Sequence, residues 1–130
     1  MDQAVIKFYR KLIKEDFPNF KELENASIYI EAIGQHVIHC NETGNYMKIY
    51  LQVDDGRITD AKYTCSCEPI ANVVVEILCE LIRGLTLEES TTLTEEMIIQ
   101  VIGSNDEEIR KKVRGLLDML HEGIISYTSE

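Results

Sequence analysis

Two cysteines, Cys65 and Cys67, stand one residue apart in the stretch TCSCEPIA, just ahead of Pro69. Proline suits the first turn of a helix, so both thiols precede a helix start. A helix N-terminus favours the thiolate, the form that binds soft metals. One reading of the pair is therefore a metal grip. The other is small thiols filling space beside the core. His39 and Cys40, in QHVIHC, are the remaining candidate ligands on a neighbouring segment. A relocated site of Cys67, Cys65, Cys40 and His39 would have the ligand number that a structural zinc site takes. Cys79 lies roughly opposite the apolar stripe of the following helix and reads as a packed or partly exposed thiol. The four cysteines are an even number, which carries little weight in a reducing cytosol.

These residues need elements to hold them. Val5, Phe8, Tyr9, Leu12 and Ile13 follow the helical template, which predicts an amphipathic helix over about residues 2–16, ended at Phe17-Pro18. Residues 18–33 stay open, because IYIEAI fits strand or helix. MKIYLQV and RITDAKY flank DDG and read as a hairpin. A two-residue Asp55-Gly56 turn would set Ile49 opposite Lys62. A three-residue loop with a left-handed Gly56 sets Val53 opposite Arg57, Ile49 opposite Ala61 and Met47 opposite Tyr63. The second register gives one mostly apolar face, so it is preferred. It extends to pairing of Asn45 with Cys65 and Thr43 with Cys67. QHVIHC before NETGN reads as a third antiparallel strand, giving a sheet over about residues 35–64.

From Pro69 the period becomes helical, with Ile70, Val73, Val74, Ile77 and Leu81 on one side and Gly84 as the stop. Thr86 to Glu89 forms a capping-box pattern, Thr94 caps a short helix through Ile102, and Ser104 to Glu107 forms a second box. A long helix follows, with Ile109, Val113, Leu116, Leu117 and Leu120 on its buried stripe. The helical part runs over about residues 69–123, and the tail IISYTSE carries no strong signal. Strands and helices are segregated along the chain, which predicts an α+β fold: a small three-stranded antiparallel sheet with helices packed on one face.

The chain has 130 residues, the length of one domain, and a net charge of −10. Such a charge repels nucleic acid and anionic membranes, so neither is expected as a partner. The N-terminal stretch is too charged for a signal peptide, and no run approaches the roughly 18 apolar residues of a membrane helix. A cytoplasmic protein is expected. No nucleophile–base pair, phosphate loop or carboxylate dyad stands out, so an enzyme is not expected.

The stretch YMKIYLQVDDGRITDAKY, followed by LIRGLTLEES and LTEEMIIQVIG, resembles the iron–sulfur cluster assembly scaffold family of IscU and the N-terminal domain of NifU. The resemblance runs without gaps from about Glu31 to about Gly123 and is tightest from Met47 to Lys62. It implies the same α+β fold. Family members build a cluster on three cysteines, aided by an aspartate and sometimes a histidine. Carried over by position, the first cysteine falls on Thr43, the aspartate on Asn45 and the second cysteine on Glu68. The third falls on Lys112, with Lys111 at the histidine position. The family's chaperone-recognition segment falls on Asn105 to Ile109 and reads NDEEI. The resemblance thus implies a scaffold fold with the usual ligand set replaced, and a Glu68–Lys112 ion pair across the former site. Cys67 stands at a family glycine, one residue before the second ligand position.

Two functions follow. One is a divergent scaffold that holds an iron–sulfur cluster, iron or zinc through the shifted cysteines. The other is a metal-free interaction module, an adaptor or regulator. The resemblance implies a cysteine desulfurase or another cluster-assembly protein as partner for either.

Overall fold

A computed structural model describes residues 2–33, 46–66 and 69–129. Helix α1, Gln3–Lys14, starts at Asp2, whose side chain accepts from the Ala4 amide. It buries Val5 and Leu12, with Phe8 and Tyr9 packed on the core, while Ile13 turns to solvent rather than joining the stripe. Its end is a Schellman motif: the Phe17 amide bonds to Leu12 O at 2.9 Å and the Asp16 amide to Ile13 O at 3.2 Å. Asp16 therefore takes the left-handed conformation, φ 59°, where glycine is usual. Phe17, at φ 45°, is left-handed too, ahead of Pro18.

The sheet has the order β1-β2-β3, with β1 at Ile28–Ile33, β2 at Tyr46–Asp54 and β3 at Arg57–Cys65, all antiparallel. IYIEAI is thus a strand: Ile28 and Ile30 are buried, and Tyr29 and Glu31 between them are exposed. The sheet begins at residue 28, not near 35; the expected strand QHVIHC lies outside the described residues.

The hairpin corrects the preferred register. Asp55 and Gly56 both have positive φ, 55° and 74°, as a two-residue type I′ turn requires. That turn alone would send the β3 side chains to the wrong faces. A bulge restores them: Val53 pairs with Ile58 but Gln52 with Asp60, leaving Thr59 as the extra residue. The Thr59 hydroxyl donates to Asp54 Oδ2 at 2.9 Å. Ile49 therefore pairs with Tyr63 and Met47 with Cys65, two residues from the expected partners. The faces come out as expected, since a slip of two preserves them. Met47, Ile49, Leu51, Ala61, Tyr63 and Cys65 are buried.

Helix α2, Pro69–Ile82, packs on β3, and α5, Glu107–Thr128, packs on β1. Between them run α3, Leu87–Ser90, and α4, Glu95–Ile102. Thr86 forms the expected capping box with Glu89, and Thr94 caps α4. Asp106, not Ser104, caps α5, because the Ser104 hydroxyl donates to Asp2 Oδ2 at 2.7 Å. Helix α5 also runs past residue 123, through Thr128, and buries Ile124. Gly123 lets it approach β1, since a Cβ there would lie 2.5 Å from Ile30 Cδ1.

The outer edge of β3 is covered at both ends. Asn19 and Lys21 exchange backbone bonds with Tyr63, and Gly84 and Leu85 do the same with Ile58. This removes an open strand edge and fixes the segment after α1 against the sheet.

Candidate functional site

Of the described candidate residues, Cys65 closes β3 just ahead of α2, and Lys111 and Lys112 stand in the early turns of α5. Cys65 closes β3 opposite Met47, on the face toward the helices, and is 9% exposed. Its thiol donates toward Asn72 Oδ1 at 3.5 Å, one turn inside α2. Ser66 continues the ladder, its amide bonding to Tyr46 O at 3.0 Å, and is itself exposed. A cleft of ≈ 570 Å³ joins the first turns of α2 and α5, lined by Ile70, Asp106, Glu107, Glu108, Ile109 and Asp2. Two of its four carboxylates have structural tasks: Asp106 accepts from the Glu108 amide at 2.9 Å, and the Ser104 hydroxyl holds the Asp2 carboxyl below its usual range.

Lys112 lies in the second turn of α5, between Ile109 and Val113, and is 5% exposed. Lysine so deeply placed is uncommon. Lys111, its neighbour, is exposed. The other candidates, His39, Cys40, Thr43, Asn45, Cys67 and Glu68, lie outside the described residues, as does the expected Glu68–Lys112 pair. Cys79 is fully buried rather than partly exposed, because α2 is covered on both sides of its stripe. Burial, then the nearby Glu76 carboxylate, pushes its thiol well above the ordinary value. Among the described residues, no three His, Cys, Asp or Glu side chains group as a metal site.

A polar network that sequence reading missed runs beside Asn72. Glu76 is 2% exposed in the middle of α2. Its carboxylate accepts from Asn19 Nδ2 at 2.7 Å, from the Asn19 amide at 3.3 Å and from the Tyr63 hydroxyl at 2.9 Å. Tyr63 also lies 3.3 Å from Asn72 Oδ1, the oxygen that receives the Cys65 thiol. Burial first, then the Glu76 charge, pushes the Tyr63 phenol far above its ordinary value. Arg83 closes the far side, donating to Asn19 Oδ1 and to Ala61 O and lying 3.4 Å from Asp60. The signal was present in VVVEILCELI: a run apolar on all sides is a buried helix, and its one early charge must find partners.

Comparison with known proteins bears on the whole arrangement. The family model of the NifU-like N terminal domain matches residues 9–130. Two curated proteins of Archaeoglobus fulgidus, the iron–sulfur cluster assembly scaffold proteins IscU 1 and IscU 2, are each 24% identical over 111 residues, 85% of this chain and 72% of theirs. Among solved structures, an iron–sulfur cluster assembly scaffold protein for the SUF system from Fervidobacterium islandicum is similar with a TM-score of 0.69 at 15% identity, over 95% of this chain and 96% of that one. A NifU-like N-terminal domain from Brucella abortus gives a TM-score of 0.63 at 11% identity, over 99% and 94%. At such identities the structural likeness speaks for the fold alone.

Proposed function

The chain belongs to the NifU-like N-terminal domain family, and from that premise we propose that it serves iron–sulfur cluster assembly as a docking protein that carries no cluster on the family's three ligand positions. The observation that carries this reading is Lys112, 5% exposed at the position where the resemblance puts the third cysteine. A protonated ammonium has no lone pair for iron and repels a cation beside it. The scaffold fold around it is kept, which supports a role in binding the assembly machinery, a cysteine desulfurase or another cluster-assembly protein. The reading is of a binding protein, not an enzyme, working in a reducing cytoplasm. None of the helices described is long and apolar enough to cross a membrane.

A second reading has its own support. Cys65 closes β3 just ahead of the α2 N-terminus, on the chain segment that leads to Cys67. A relocated iron, zinc or cluster site would use Cys67, Cys65, Cys40 and His39. Elemental analysis of protein purified without added metal separates the two. The docking reading expects iron and zinc at background, unchanged by Cys67→Ser. Metal that is lost with Cys67→Ser and kept with Cys79→Ser would establish the relocated site instead.

A further inference from the structure

A pocket of ≈ 350 Å³ opens between the end of α1 and the start of α2, sharing Asn72 with the polar network described above. Its walls are Tyr9, Asp16, Phe17, Phe20 and Asn72. Aromatic rings supply three of these five residues. Phe20 is 44% exposed, although it is a large apolar side chain on a segment tied to the sheet. Among the described residues, the Asp16 carboxylate has no hydrogen bond or ion pair of its own.

The backbone builds this pocket at a cost. The Schellman stop of α1 accounts for a left-handed Asp16, but it does not require Phe17 to be left-handed as well. That second residue turns the chain so that Asp16 and Phe17 both line the pocket. The far side is held firmly. Asn19 is clamped by Glu76, the backbone of residues 19–21 is bonded to Tyr63, and the Phe20 ring meets Tyr63 edge-on at 5.2 Å. Tyr9 and Phe17 form a second edge-on pair at 5.7 Å. The walls are therefore set before any ligand arrives.

Aromatic faces carry negative potential, and the Asp16 carboxylate beside the rings adds to it. Such walls favour a large, weakly hydrated cation. An anion would meet both Asp16 and the net charge of −10. A neutral apolar guest would leave the carboxylate without a task. The volume falls at the lower end of ligand sites, which run from roughly 300 to 1,000 Å³, and suits a headgroup better than a whole drug-sized molecule. We infer that this pocket binds an alkylammonium or guanidinium group. The group is supplied by a free small amine or by a lysine or arginine side chain of a partner protein.

The test is an NMR titration of the full chain, following the ring resonances of Tyr9, Phe17 and Phe20. Four probes are used: choline, its neutral isostere 3,3-dimethylbutan-1-ol, and the blocked tripeptides acetyl-Gly-Lys-Gly-amide and acetyl-Gly-Arg-Gly-amide. At least one cation gives a saturable shift, and the neutral isostere binds at least about fivefold more weakly than it. Tighter binding of choline identifies a free amine as the ligand, and tighter binding of a tripeptide identifies a partner's side chain. Asp16→Asn removes the charge and keeps a residue that tolerates the left-handed conformation, so it weakens the cation about three- to tenfold with the fold intact. Phe20→Ala weakens it to a similar degree; should that variant unfold, Asp16→Asn decides alone. Equal binding of choline and its isostere, an unchanged affinity in Asp16→Asn, or no saturable shift with any probe overturns the inference.

Discussion

Two regions along α2 hold buried polar groups of different kinds. Around Glu76, a carboxylate taken out of water is met by donors from the segment after α1 and from β3, each within 3.3 Å. At the start of the helix, a thiol turned inward stands at the end of β3, and an ammonium is buried on α5. The first region is a polar network that links α2, β3 and the segment after α1. The second is the end of the fold where the family resemblance sets a cluster. Helix α2, β3 and the segment after α1 are thus joined by hydrogen bonds that do not involve the positions where the resemblance sets a cluster.

The comparison breaks first at Glu76. Glu76→Ala should cost about 2–4 kcal/mol in urea unfolding, since it removes the buried acceptor of the Asn19 backbone amide and the shorter bonds of Asn19 Nδ2 and the Tyr63 hydroxyl. Glu76→Gln should cost less, because the amide oxygen still accepts. An unchanged midpoint for Glu76→Ala would mean that the network does not hold the elements together.

The same measurement at the other end should give a smaller number. Cys65→Ala removes one weak sulfur donor and a small volume, for about 1 kcal/mol. A loss at Cys65 equal to that at Glu76 would erase the distinction between the two regions.

The smallest effect belongs to the exposed polar cluster between α4 and α5. Arg110 lies 2.9 Å from Glu95, and Arg114 lies 3.2 Å from it. Their hydrogen bonds, that of Arg110 first, hold the Glu95 carboxyl below its ordinary value of 4.5. A depressed carboxyl adds stability above its unfolded value and loses it as pH falls through the folded one. Arg110→Ala should therefore lower the urea midpoint only slightly at neutral pH, with the loss vanishing in acid. In carbon-detected NMR titration, Glu95 should move back toward its ordinary range. A loss that grows below pH 4 would reverse the assigned sign.

How far the sequence announces all this differs by feature. Helix periods, the Thr86 box and the sheet faces were legible because each rests on local pattern. The hairpin register was not, because the Thr59 bulge adds one residue that no alternation records, while the slip of two leaves every face unchanged. The strand IYIEAI stayed ambiguous because six residues of mixed polarity fit both periods until β2 lies beside them. The end of α5 escaped because burial of Ile124 against the core, not local propensity, carries the helix onward. At the candidate site, the ligand positions rest on the resemblance, and Thr43, Asn45 and Glu68 lie outside the described residues. The buried placement of Lys112 depends on how α5 lies against the rest of the fold. The partners of Glu76 sit up to 57 residues away in sequence, which no local pattern could pair.

The central claim is that the family's ligand positions here hold no cluster while the backbone remains the family's. Anaerobic incubation with ferrous iron and sulfide tests it, with visible absorption and bound iron read after desalting. The native chain is compared with a variant carrying Thr43→Cys, Asn45→Asp, Glu68→Cys and Lys112→Cys. The account predicts no stable cluster on the native chain and a gained one on the variant. A native cluster that survives substitution of Cys40, Cys65 and Cys67 together would contradict it.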